Sequence, residues 1–193
     1  MKKAIFITVG AALVLAGAII LHQMYKDAGQ QLKIGASAPD FSLSSSDGSM
    51  FTLSKVLGKK AIVIFFYPKD FSPGCTTEVC TFRDSFEIFK AAGADVIGVS
   101  SDSVESHQKF IKEHNLPFSL LSDPTKAVRK LYRIRNSGGV IPGRITFVLD
   151  KKGIIRFAFS SQFDAARHVE EAKKVVEEIA KEKIKDQNTS ATK

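Results

Sequence analysis

Cysteine is scarce in this chain of 193 residues: Cys75 and Cys80 are the only two. Four residues separate them, so the Cys-x-x-Cys dithiol motif is excluded. Histidine is nearly as scarce. His22, His107, His114 and His168 lie far from the pair in sequence, so a zinc site built on it lacks ligands. There is no internal repeat and no aromatic–basic motif. The net charge of +8 divides into +3 over residues 1–35 and +2 over residues 181–193, leaving +3 for residues 36–180. That is an ordinary surface, and nucleic-acid binding is set aside.

One long apolar run is present. Residues 4–21, AIFITVGAALVLAGAIIL, follow Lys2 and Lys3 and carry no charge. Eighteen helical residues reach about 27 Å, enough for the hydrocarbon core of a bilayer. The expectation is a single N-terminal transmembrane helix that leaves the rest of the chain exported, on the extracytoplasmic side or in an organelle lumen. The rival is a cleaved signal peptide, since Ala16-Gly17-Ala18 resembles a cleavage site. The expected organisation is an anchor or signal segment at 1–21 and a linker at 22–36. A domain at 37–184 and a disordered polar tail at 185–193 follow.

Within the domain, DFSLSSSDGSMFTL (40–53) reads as a hairpin around Asp47-Gly48. AIVIFFY (61–67) has the continuous apolar character of a strand buried on both faces. A helix is expected over 73–92, a strand over 94–100 and a helix from Val104 to His114. Next come a strand over 117–123 and a short helix from Thr125 to Tyr132. RITFVLD (144–150) and GIIRFAF (153–159) form a second hairpin. A last amphipathic helix runs from Asp164 to near Ile184, with Val169, Ala172, Val176 and Ile179 on one side. This order gives an α/β domain with a mixed central sheet, flanking helices and an N-terminal β-hairpin extension. Those are the parts of a thioredoxin-like fold.

The cysteines sit at the start of the 73–92 helix. Ser72 suits the N-cap and Pro73 the first helical position, which makes Cys75 the third helical residue. Free backbone N–H groups and the positive end of the helix dipole favour a thiolate there. Val79, Phe82, Phe86 and Phe89 fall within roughly 40° of Cys75 on the helix, and Cys80 lies roughly 140° away. Two α-carbons five residues apart on a helix are about 8.5 Å apart. A disulfide wants less than about 7 Å. An intact helix therefore cannot hold the bridge, which leaves a reactive Cys75 that Cys80 reaches only after local unwinding, or two unreactive buried thiols. Burial on the apolar stripe disfavours the charged form, so a cation is needed beside Cys75. Arg144 is placed for that by topology, unless it is a solvated strand-end arginine. Arg83 reads as a helix-surface partner for Glu87, Glu78 as a solvated helix charge, and His107 and His114 as packing or surface residues.

FYPKDFSPGCTTEVCTFRD (66–84) resembles the active-site signature of peroxiredoxins of the bacterioferritin-comigratory or peroxiredoxin Q type. APDFSL, LPFSLLSD and PGRITFVLDKKG also fall where that subfamily has similar segments, so the likeness spans roughly residues 33–182. The resemblance implies a thiol peroxidase acting on hydrogen peroxide and organic hydroperoxides, with Cys75 as the peroxidatic cysteine. It makes Pro68 a shield for the thiolate, Ser72 a hydroxyl partner of the peroxide and Arg144 the cation that polarises it. Cys80 becomes the resolving cysteine of an intramolecular disulfide, which thioredoxin or a thioredoxin-like reductant recycles. No cofactor or metal is implied, and the subfamily is often monomeric. Serine stands at position 72 where the family usually has threonine, which keeps the hydroxyl and loses the methyl that restricts its rotamer. The rivals are a membrane-anchored thiol–disulfide oxidoreductase, which would place cysteine at position 72, and a non-catalytic interaction domain that keeps the shape alone.

Overall fold

By its internal contacts the chain divides into Met1–Gln31 and Leu32–Lys193. The computed structural model describes residues 32–191, all within the second unit. Seven strands form one sheet: β1 (Ser42–Ser45), β2 (Met50–Thr52), β3 (Ala61–Phe66), β4 (Ala94–Ser100), β5 (Ser119–Ser122), β6 (Ile145–Leu149) and β7 (Ile155–Ser160). Their order is β2-β1-β5-β4-β3-β6-β7. β3, β4 and β5 run parallel. β1 joins β5, and β6 joins β3, in antiparallel pairs. The helices are α1 (Leu53–Val56), α2 (Pro73–Asp84), α3 (Phe86–Ala91), α4 (Val104–His114), α5 (Ala127–Leu131) and α6 (Ala165–Ala191).

β3 is buried along its whole length, as its unbroken apolar run requires. Side chains alternate across the sheet. Val63, Phe65 and Tyr67 therefore join one core with Cys75, Val79, Phe82, Phe89, Phe110 and Val169. Ile62, Ile64 and Phe66 join a second core with Phe41, Leu53, Val128, Tyr132 and Phe147. Each large side chain so buried contributes about 1.5–3 kcal/mol. The cysteine helix α2 is thus one wall of the first core, attached to the end of β3, an interior strand of the sheet, by the loop 67–72.

Two helical boundaries differ from expectation. The segment 73–92 breaks at Ser85, whose φ of −98° and ψ of 2° leave the helical region. The apolar stripe carries on across the break through Phe82 and Phe89. α6 continues to Ala191 instead of ending near Ile184, so its last turns occupy part of the segment expected to be a disordered tail.

The fold class is corrected in one respect. The apolar run 4–21, on which the transmembrane helix rested, lies outside the described residues. Among the described residues no helix is long and apolar enough to cross a membrane. The physical reason is plain in α6, the longest of them at 27 residues. One side packs on the core through Val169, Ala172 and Val176, while Glu170, Lys174, Glu177, Glu178 and Lys181 face solvent. What stands is a thioredoxin-like α/β fold around a mixed sheet.

Candidate active site

Cys75 occupies the first turn of α2 and is wholly buried on the core-facing stripe, beside Val79 and Phe82. Pro68 is half-buried at the start of the loop that leads to it. Phe71 in that loop takes a φ of +58°, a left-handed conformation uncommon for a bulky residue. Ser72 holds the extended N-cap position, but its hydroxyl donates to the Lys69 carbonyl (3.0 Å) and does not cap the helix. The hydroxyl lone pairs remain able to accept a bond. Cys80 is partly buried, and both thiols are free. α2 is continuous from Pro73 to Asp84, so its geometry keeps the two cysteines about 8.5 Å apart at Cα.

Arg144 immediately precedes β6 and is 3% exposed. Its Nη2 donates to Cys75 Sγ at 3.4 Å, its Nη1 to Glu78 Oε2, and its Nε to the Gln162 carbonyl at 3.3 Å. Backbone shape makes this approach possible. A Cβ on Gly74 would lie 3.3 Å from Arg144 Nη2, and one on Gly143 would lie 2.1 Å from the Arg135 carbonyl oxygen. Burial works against the Arg144 charge, and the neighbouring Glu78 and Cys75 more than offset it, so the guanidinium is held above its ordinary range.

Behind Arg144 lies a second polar layer. Glu78 is fully buried, and desolvation pushes its carboxyl up to about 7 despite Arg144. Its Oε2 is bound, but Oε1 has no hydrogen-bond partner among the described residues and lies 3.8 Å from His168 Nδ1. Burial lowers His168 to about 4, so the ring is neutral. The carbonyl of Ser161 can only accept, so Nε2–H donates to it (2.8 Å) and Nδ1 accepts from the Thr146 hydroxyl (2.9 Å). No group of three or more His, Cys, Asp or Glu among the described residues is placed to hold a metal ion.

The sequence profile described as the AhpC/TSA family matches residues 34–158. The chain belongs to that family. Within it, the chain is 44% identical over 146 residues to the chloroplastic peroxiredoxin Q of Sedum lineare, an alignment that covers 75% of this chain and 78% of the relative. Its fold matches the Mycobacterium tuberculosis peroxidoxin BcpB at a TM-score of 0.70 and 32% identity, covering 75% of this chain and 96% of that one. It also matches Xanthomonas campestris peroxiredoxin Q at 0.69 and 34%, covering 77% and 97%. This peroxiredoxin is therefore a thiol peroxidase, an oxidoreductase of the antioxidant class with a thioredoxin-like fold.

The expected localisation needs correction. A membrane-anchored, exported domain finds no spanning helix among the described residues, and the plant relative is named as chloroplastic. Of the expected site residues, the peroxiredoxin brings Cys75 and Arg144 into contact and sets Ser72 and Pro68 in the loop before them. Cys80 stays apart. Glu78 is not a solvated charge but the buried partner of Arg144, because the helix turns it inward beside Val79. Arg83 does not pair with Glu87. It bonds Asp84 and donates to the His114 carbonyl at 2.9 Å. Glu78 and His168 escaped sequence reasoning, although each flanks an apolar-stripe residue, Val79 or Val169, and that adjacency was the available signal.

Proposed function

We propose that Cys75 is the peroxidatic cysteine of a peroxidase that reduces hydrogen peroxide and small organic hydroperoxides. The observation that carries this reading is the 3.4 Å contact from Arg144 Nη2 to a Cys75 sulfur buried in the first turn of α2. Attack of the Cys75 thiolate on a peroxide oxygen forms an S–O bond and breaks the O–O bond. The alkoxide or hydroxide leaves and takes a proton to become alcohol or water, and Cys75 becomes a sulfenic acid. Arg144 and the Ser72 hydroxyl stabilise the charge that moves onto the leaving oxygen. Pro68 covers the approach. Cys80 then attacks the sulfenic sulfur, forms the S–S bond and releases water after protonation. A dithiol of the thioredoxin-like class supplies the two electrons and two protons that restore both thiols. Both cysteines lie on one chain, so one protomer suffices for the cycle.

The separation of Cys75 and Cys80 on an intact α2 supports a two-state sequence. The folded helix meets peroxide, and a locally opened helix forms the bridge. The test is a titration of the full-length chain with one equivalent of hydrogen peroxide, followed by mass spectrometry. The parent is expected to yield a Cys75–Cys80 disulfide, and Cys80→Ser a sulfenic acid on Cys75. Unchanged thiols in the parent would sink the reading.

A further inference from the structure

A second buried arginine stands close to the site and takes no part in the chemistry just described. Arg129, in α5, is 5% exposed. Its backbone N–H donates to Asp123 Oδ2 (2.9 Å), and its guanidinium carbon lies 6.0 Å from the centroid of the Phe66 ring. Its two terminal nitrogens then separate. Nη1 donates to the Gly143 carbonyl at 2.6 Å, and Nη2 to the Tyr67 carbonyl at 2.8 Å.

Those two carbonyls belong to the two segments that deliver the reactive pair. Tyr67 is the first residue past β3 and opens the loop to Cys75. Gly143 is the residue before Arg144. The ladder between β3 and β6 ends at the pair Phe66–Ile145, so no bond of that ladder joins the two segments beyond it, where the Tyr67 N–H turns to the Val99 carbonyl of β4 (3.1 Å). Arg129 bonds both chains just past that point. A guanidinium is a rigid planar fork, so two carbonyls held by one fork are fixed in distance and plane. Burying such a cation is costly. Burial draws Arg129 below its ordinary range while the charges of Asp123 and Cys75 act to raise it.

We infer that Arg129 is a positioning residue for the peroxide chemistry: by bridging the Tyr67 and Gly143 carbonyls it sets Cys75 Sγ against Arg144 Nη2. This rests on the reading of Cys75 as the peroxidatic residue. Lysine at 129 keeps the charge but offers a single ammonium in place of a fork, and methionine offers neither.

The test compares the full-length parent with Arg129→Lys and Arg129→Met. Folding is checked by circular dichroism and thermal melting. Two properties are then read: the rate of Cys75 oxidation by hydrogen peroxide, and the pH profile of Cys75 alkylation by iodoacetamide in a Cys80→Ser background. Oxidation is expected to slow about tenfold in Arg129→Lys and further in Arg129→Met, the size of effect that loosened positioning produces. The alkylation profile is expected to move toward alkaline pH in the same order. Parent-like rates and profiles in the folded variants overturn the inference. So does a slower rate with an unmoved alkylation profile, which would mark a general loosening of the fold. Should Arg129→Met fail to fold, Arg129→Lys decides alone. The alkylation profile needs no peroxide and reads the clamp, whereas peroxide consumption by the parent reads the role of Cys75, so the two ideas fail separately.

Discussion

Arg144 is shared, with one terminal nitrogen on the Cys75 sulfur and the other on the Glu78 carboxyl. Glu78 and His168, which face one another behind it, titrate in opposite senses. Glu78 rises from 4.5 to about 7 on folding, so over that window the folded chain holds a proton the unfolded chain has lost, and stability falls as pH rises. His168 drops from 6.5 to about 4, so the unfolded chain holds the extra proton and stability rises with pH. In the parent the two slopes oppose each other where the windows overlap. Glu78→Gln keeps an acceptor for Arg144 and removes the falling slope. Its stability relative to the parent is therefore expected to improve steadily from about pH 4.5 to about pH 7, measured as urea midpoints across that range. A flat difference would refute the buried titration. At this scale Cys75 and Arg144 could be read from the sequence, since an N-cap signal and a strand start place them. Glu78 could not, because a glutamate is read as solvated by default and only its partner, 66 residues away in the chain, explains its burial.

In α2 the proposed cycle turns a local helix–coil equilibrium into a reaction step. Cys75 and Cys80 meet only when the turns between them open, so the stability of those turns governs the second step and leaves the first untouched. Thr77 lies between them, is exposed, and returns its hydroxyl to the Pro73 carbonyl at 3.0 Å. Alanine is a better helix former than threonine by about 0.6 kcal/mol. Thr77→Ala is therefore expected to slow disulfide formation about two- to threefold while sulfenic acid forms at the parent rate, both followed by stopped-flow fluorescence or quenched mass spectrometry. Equal slowing of both steps would contradict the opening model. The start of this helix was legible in Ser72-Pro73-Gly74, and its end was not. Hydrophobic spacing runs unbroken through Phe82, Phe86 and Phe89, so periodicity conceals the break that the backbone makes at Ser85.

Across the whole molecule, the loop leading to the thiol is tied to elements distant in sequence. Asp70 accepts bonds from the Tyr67 hydroxyl (2.7 Å), the Ser106 hydroxyl (2.7 Å) and His107 Nδ1 (2.9 Å), the last two on α4. Burial acts to raise the Asp70 carboxyl, but the bonds from His107, Tyr67 and Ser106 prevail and hold it below its usual 3.8. Its contribution to stability is thus present above that pH and lost only in stronger acid. Asp70→Asn should cost about 1–3 kcal/mol at neutral pH, as leaving a buried donor without its acceptor does, read by urea unfolding with an unchanged m-value. A loss within about 0.5 kcal/mol, the ordinary range for surface changes, would show that the tie carries no weight. The alternation of strand and helix signals made the mixed sheet legible, because short apolar runs marked strands such as β3 and amphipathic spacing marked the helices. The docking of the Asp70 loop on α4 was not, since it joins residues 37 positions apart through polar groups that leave no periodic trace. The attachment of α2 to the end of β3, a strand sealed on both faces, has a further consequence. On the proposed cycle the helix comes apart at every turnover while Tyr67, Asp70 and Arg144 stay where the sheet and α4 hold them. The memory of the reactive arrangement then lies in the scaffold and not in the segment that bears the thiol, so each reduction resets the molecule without refolding it.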